Sequence, residues 1–191
     1  MAEVLLFHHV LGRTPGVGAL ADELRAAGHT VHVPDLYGGR TFATIEEGAA
    51  FSRSTDLAPL ADAAAADLPA EIVYAGISAG VMHAQRLAQT RAGAAGAVLL
   101  EGCVPLSGPW AFGPWPDGVP VQIHGMDADP FFAEEGDLDA AREIVAAVGP
   151  SAELFLYPGD GHLFADRSLP TYDAAAATLL TSRIGEFLDR V

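Results

Sequence analysis

The 191-residue chain is poor in cysteine, in positive charge and in long apolar runs. Its single cysteine, Cys103, excludes a disulfide framework and any multi-cysteine metal site. Only 10 Lys+Arg stand against 25 Asp+Glu, a formal net charge of −15. Without a basic footprint to neutralise phosphates, nucleic acid and anionic membrane surfaces are excluded as expected partners. No segment approaches the roughly 20 consecutive apolar residues of a membrane span. The opening MAEVLLFHHV has neither the basic region nor the apolar run of a secretory signal. A cytoplasmic location is the expectation, and the lack of disulfides fits it. What is present is apolar: 50% hydrophobic against 18% charged residues, the balance of a globular chain and not of an acidic disordered tail. The length suits one domain over residues 1–191, able to bury about 70% of its unfolded surface.

Short apolar runs alternate with alanine-rich segments of helical length. Strands are expected at 4–8, 30–33, 71–75, 97–101, 119–124 and 153–157. Helices are expected at 17–27, 56–67, 79–90, 137–148 and 172–188, with Asp56 as an N-cap. Residues 36–52 read as a loop with room for a short helix. This alternation predicts parallel pairing with right-handed crossovers. The near-continuous apolar strands predict helices on both sheet faces. The fold class is thus α/β, a three-layer sandwich of about six mostly parallel strands. One connection stands apart: Gly102–Gly118, rich in proline and glycine and holding both tryptophans, is too long and too broken to be a helix. Long ordered loops in compact domains are usually functional.

The sharpest chemical signal is Gly76-Ile77-Ser78-Ala79-Gly80, between a predicted strand and a predicted helix. That is the context of a nucleophile elbow. Glycine fits two residues before and after the serine, because a tight strand-to-helix turn crowds both places. The turn would expose the Ser78 hydroxyl and put the Ala79 N–H at a helix N-terminus, where it can meet an oxyanion. A serine needs a base, and the base needs an orienting acid. His162, in the glycine-flanked loop after the sixth strand, is the candidate base. Asp127 and Asp129, in the loop after the fifth, are both candidate acids, with Asp129 preferred. Parallel strands deliver all these loops to one edge of the sheet.

With these residues the chain resembles the dienelactone hydrolase family of α/β-hydrolases. The likeness rests on His8-His9-Val10-Leu11-Gly12, Pro34-Asp35-Leu36-Tyr37-Gly38, the Ser78 pentapeptide, and Gly159-Asp160-Gly161-His162-Leu163-Phe164 leading into a final helix. The resemblance implies a sheet in which the first strand lies between the second and third, and a second oxyanion donor at the Val10 N–H. Three departures matter. The namesake enzymes use a cysteine where this chain has Ser78 and a glutamate where it has His9. They also bind a substrate carboxylate with arginines, one of which falls where this chain has Asp166. Arg13, Arg40, Arg53 and Arg167 are the cations that could replace it, and the acidic balance favours a neutral ester or lactone. His9, Tyr37, Trp110, Trp115, Phe131 and Phe164 are candidate pocket residues.

Other patterns compete. Gly16-Val17-Gly18-Ala19-Leu20-Ala21 has the spacing of a dinucleotide loop, but about seven residues separate it from its strand. His8, His9, His32, His124, Asp35 and Asp127 invite a metal reading, yet adjacent strand residues face opposite ways and no HExxH-type spacing occurs. Neither a cofactor nor a metal is expected. The expected function is hydrolysis of a small carboxylic ester or lactone by a monomer or homodimer. The rivals are a noncatalytic small-molecule binding protein on the same fold, or a thioesterase or peptidase with the same triad.

Overall fold

A computed structural model describes residues 1–191. Six strands form one sheet: β1 (Glu3–Phe7), β2 (Thr30–His32), β3 (Val73–Ile77), β4 (Gly96–Leu100), β5 (Val121–Met126) and β6 (Ala152–Tyr157). All pairs are parallel, in the order β2-β1-β3-β4-β5-β6. The helices are α1 (Pro15–Ala26), α2 (Ile45–Ser54), α3 (Ala58–Ala66), α4 (Val81–Thr90), α5 (Asp137–Val148) and α6 (Ala174–Leu188). No helix is long and apolar enough to cross a membrane.

Side-chain alternation divides the strands between two cores. Leu5 and Phe7 of β1, Tyr74 of β3 and Leu99 of β4 face α3, α4 and α5. Val4 and Leu6, Val73 and Ala75, Val98 and Leu100 face the opposite way, onto α1 and α6. The central strands β3 and β4 accordingly carry almost nothing but apolar residues, whereas β5 buries Gln122 and His124, which bond each other.

Helix starts follow local chemistry. Thr14 caps α1 through the Val17 N–H, with Pro15 in the first turn. Asp173 caps α6 through the Ala175 and Ala176 N–H groups. Several expected boundaries shift. Residues 45–54 form a full helix, started by Thr44 accepting from the Glu47 N–H. Leu57 and not Asp56 occupies the cap of α3, although the Asp56 carboxylate accepts from the Ala58 N–H. β4 stops at Leu100, and Glu101 turns into the left-handed region at φ +55°. β3 runs to Ile77, which brings the strand directly onto Ser78.

Strand order reverses between β1 and β3, since β1 is followed in the chain by its outer neighbour β2. Connections leaving the two central strands therefore diverge, opening a crevice at their carboxyl ends. Ligands of open parallel sheets bind at this kind of switch point. Val10 follows β1 and Ser78 follows β3.

Candidate active site

Ser78 has φ +48°, a left-handed conformation rare for a residue with a side chain. The glycines around it have steric causes. A Cβ on Gly76 would lie 2.5 Å from the Gly80 carbonyl oxygen, and one on Gly80 would lie 2.5 Å from that of Phe7. Both contacts are with backbone, so neither can yield cheaply. The turn is thus packed against β1 on one side and its own helix entrance on the other.

Ser78 Oγ lies 2.8 Å from His162 Nε2. His162 Nδ1 lies 2.7 Å from Asp129 Oδ2. Asp129 is completely buried, and its other oxygen accepts from the Phe131 N–H at 2.9 Å. The carboxylate holds the imidazole proton on Nδ1, leaving Nε2 as the acceptor facing the serine. The Phe131 ring packs at a tilt against the imidazole, 4.6 Å between centroids. Asp127 is exposed and instead accepts from the Gly159 N–H at 3.1 Å, stitching together the loops after β5 and β6.

Beside Ser78 and His162 opens a cleft of about 640 Å³, a volume suited to a small organic ligand. Val10 and Ala79 both line it, with Ile45, Ala49, Val81, Met82, Trp110 and Phe131 as apolar wall. The charged groups along it are Arg53, Glu101, Glu135 and Asp137. Burial raises the Asp137 carboxyl to about 6, against the opposing hydrogen bond from the Cys103 N–H.

The turn carrying Val10 is fixed on all sides. Leu11 N–H donates to His9 Nδ1 (3.2 Å), Gly12 N–H to the His9 carbonyl (3.0 Å), and Phe42 N–H to the Leu11 carbonyl (3.0 Å). Helix α2 approaches so closely that a Cβ on Gly48 would overlap the Val10 carbonyl oxygen. The Val10 N–H itself makes no hydrogen bond within the protein. A donor left unspent in a hydrogen-bonded turn beside a cleft is what an oxyanion hole requires.

Four residues expected in the pocket lie elsewhere. His9 is completely buried and bonds Asp166 at 2.8 Å. Tyr37 packs edge-on against His8 and Phe51. Trp115 is buried, its indole N–H donating to the Val119 carbonyl. Phe164 is a core residue against Tyr157. Of the candidate cations, only Arg53 lines the cleft. Arg167 pairs with Glu23 and Arg40 lies over the Phe51 ring.

The remaining candidates have local duties. Asp35 accepts from the Tyr37 and Gly39 N–H groups in its own turn. His8 bonds the His9 carbonyl and the Leu36 N–H. His124 bonds Tyr157 and Gln122, and burial lowers it to about 3.

Sequence reading missed Glu101. This acid is 2% exposed, and its Oε1 accepts from the Phe164 N–H at 2.7 Å, two residues past His162. Burial pushes its carboxyl well above the usual range, reinforced by Asp129 and Asp166. Its Oε2 has no hydrogen-bond partner. The only signal was an acid closing the apolar run AVLLE, which read as a strand end.

A model of the dienelactone hydrolase family matches residues 1–191. No curated protein sequence matches. Among solved structures, the chain is similar to a dienelactone hydrolase-like promiscuous phosphotriesterase from metagenomic libraries, at TM-score 0.75 and 17% identity, covering 100% of this chain and 86% of that one. It is also similar to esterase 2 of Thermogutta terrifontis, phosphoramylated by tabun (TM-score 0.67, 19% identity, 99% and 83% covered). A thioesterase domain from the curacin biosynthetic pathway follows at TM-score 0.62 and 18% identity, with 94% and 90% covered.

Proposed function

The chain belongs to the dienelactone hydrolase family, and from that premise we propose that it is a serine hydrolase cleaving a small carboxylic ester or lactone through Ser78, His162 and Asp129. The observation that carries this reading is the continuous hydrogen-bonded row from Ser78 Oγ through the imidazole to a buried carboxylate, at the mouth of a cleft.

A serine hydroxyl has no accessible anion near neutral pH, so it depends on a base. Ser78 Oγ attacks the ester carbonyl carbon as its proton passes to His162 Nε2. Asp129 stabilises the imidazolium and keeps its orientation. The carbonyl oxygen, now an oxyanion, is received by the N–H groups of Val10 and Ala79. Each such donor contributes about 3–4 kcal/mol to the transition state in a well-studied protease. The tetrahedral intermediate collapses, His162 protonates the departing alkoxide, and an acyl-Ser78 remains. A water molecule, deprotonated by the same Nε2, attacks the acyl carbon and releases the acid.

Substrate charge follows from the surroundings. Asp166 stands where the family's resemblance implies a carboxylate-binding arginine, and it is occupied by internal bonds. Arg53 shares the cleft with Glu101, Glu135 and Asp137. The wall of Val81, Met82, Trp110 and Phe131 suits an apolar acyl or alkyl group. These features favour a neutral substrate of modest size.

The test is labelling by a small fluorophosphonate with peptide mass spectrometry. The expected result is an adduct on Ser78 that is lost in His162→Ala. A folded protein that takes no adduct would refute the reading.

A further inference from the structure

The most completely bonded polar cluster in the molecule lies outside the Ser78–His162–Asp129 row. Asp166 Oδ2 accepts from His9 Nε2 at 2.8 Å and from the Thr14 hydroxyl. Its Oδ1 accepts from the Ser168 N–H at 2.8 Å and the Ser168 hydroxyl at 2.6 Å. Both members of the pair are removed from water, with side chains 0% and 2% exposed. Burial alone would raise the Asp166 carboxyl, but bonds from His9, Ser168 and Thr14 outweigh it and hold it at about 2.

The pair joins two loops that are 157 residues apart in sequence. One loop follows β1 and holds Val10. The other follows β6 and holds His162, four residues before Asp166. The hydrogen-bond pattern also fixes the His9 tautomer. Nδ1 accepts from the Leu11 N–H, so the imidazole proton resides on Nε2 and points at Asp166. His9 thus closes the Val10 turn twice, with Nδ1 to Leu11 and with its carbonyl to Gly12, while Asp166 anchors the ring.

A buried ion-supported contact is a poor source of net stability, because well-packed apolar side chains usually do as well. What it supplies here is direction. We propose that His9 is a positioning residue for the oxyanion hole: braced by Asp166, its Nδ1 holds the Leu11 N–H while its carbonyl holds the Gly12 N–H, which locks the turn and the His9–Val10 peptide so that the Val10 N–H stays aimed into the cleft. This rests on the serine-hydrolase reading, and the brace replaces the glutamate and arginine that the family resemblance implies at these two positions.

Two substitutions separate the two ring nitrogens. In His9→Asn the side-chain oxygen can sit where Nδ1 was and still accept from Leu11, but the side chain stops short of Asp166. In His9→Gln the amide nitrogen can reach Asp166, but no acceptor faces Leu11. The experiment measures kcat and KM on a p-nitrophenyl ester, the rate of fluorophosphonate labelling, and thermal stability, for wild type and both variants. The proposal predicts that His9→Gln lowers kcat and the labelling rate by about 10²–10³-fold, the loss of one oxyanion donor, with KM nearly unchanged. His9→Asn recovers most of that rate despite a lower melting temperature. A structural role alone would lower stability in both variants while leaving kcat per labelled site intact, and that result would overturn the proposal. So would equal losses of kcat in both. Wild type that takes no adduct on Ser78 refutes the hydrolase reading itself, and the brace falls with it. Wild type that labels while His9→Gln labels equally fast refutes the brace alone.

Discussion

Replacing Asp129 by asparagine is the most incisive single perturbation of the row, because the structure dictates how the amide must sit. Oδ1 of Asp129 accepts from the Phe131 N–H at 2.9 Å, and Oδ2 faces His162 Nδ1 at 2.7 Å. An asparagine must keep its oxygen toward Phe131, since the other orientation opposes its NH₂ group to the Phe131 N–H at a completely buried position. Its NH₂ group then faces Nδ1 and forces that nitrogen to accept. The imidazole proton moves to Nε2, where Ser78 needs an acceptor. Two losses combine. The imidazolium formed during attack loses a carboxylate partner, worth about 4 kcal/mol for unit charges about 4 Å apart at an effective dielectric near 20. The wrong tautomer adds further cost. Together they predict a fall in kcat of about 10³–10⁴-fold, or roughly 4–5.5 kcal/mol. Stability should change little, because the shape and the Phe131 bond survive. The assay is turnover of p-nitrophenyl acetate near neutral pH, with urea unfolding as the control. Asp127→Asn is the matched comparison and should stay within about threefold of wild type, since its carboxylate serves only the Gly159 N–H and lies exposed. A fall of less than tenfold for Asp129→Asn, or a larger fall for Asp127→Asn, would refute the assignment.

Three further outcomes follow from geometry already described. Ser78→Gly should be more stable than Ser78→Ala by about 1 kcal/mol, because only glycine relaxes at φ +48°; equal unfolding midpoints would contradict this. Gly80→Ala should destabilise by about 1–3 kcal/mol and slow turnover, as its Cβ would meet the Phe7 carbonyl oxygen at 2.5 Å; an unchanged urea midpoint would count against the packed elbow. Asp137 has a folded pKa raised from 3.8 to about 6, so its contribution to stability is full below about pH 4 and is lost as pH rises through about 6. Asp137→Asn should therefore raise the melting temperature relative to wild type above about pH 6, with no advantage near pH 4. A gain that is the same at both pH values would exclude that titration.

Much of this architecture is written locally. Apolar runs with turn residues between them locate all six strands, and the alternation with helices decides their parallel pairing. The elbow is legible because its glycines answer to sterics inside a five-residue span. The choice between Asp127 and Asp129 is not, since both lie in one short loop and burial distinguishes them only once Phe131 folds over His162. His9 misleads for a related reason. A polar residue after a central strand resembles a pocket group, and only a carboxylate 157 residues away shows that it turns inward. Glu101 is similarly silent: nothing near it in sequence reveals that it receives the backbone of the His162 loop. Local patterns specify elements, whereas long-range polar partners decide which side chains reach the cleft.

The place of Asp166 also explains the first glycine of the pattern at the start of α1. A Cβ on Gly16 would collide with the Asp166 carboxyl group, and the same carboxylate accepts from the hydroxyl of Thr14, the cap of that helix. The positive end of α1 is thus already supplied with an anion by the chain itself. What looks in sequence like a cradle for pyrophosphate is a socket filled from within, so a soluble nucleotide would have to evict a covalently tethered competitor whose local concentration never falls.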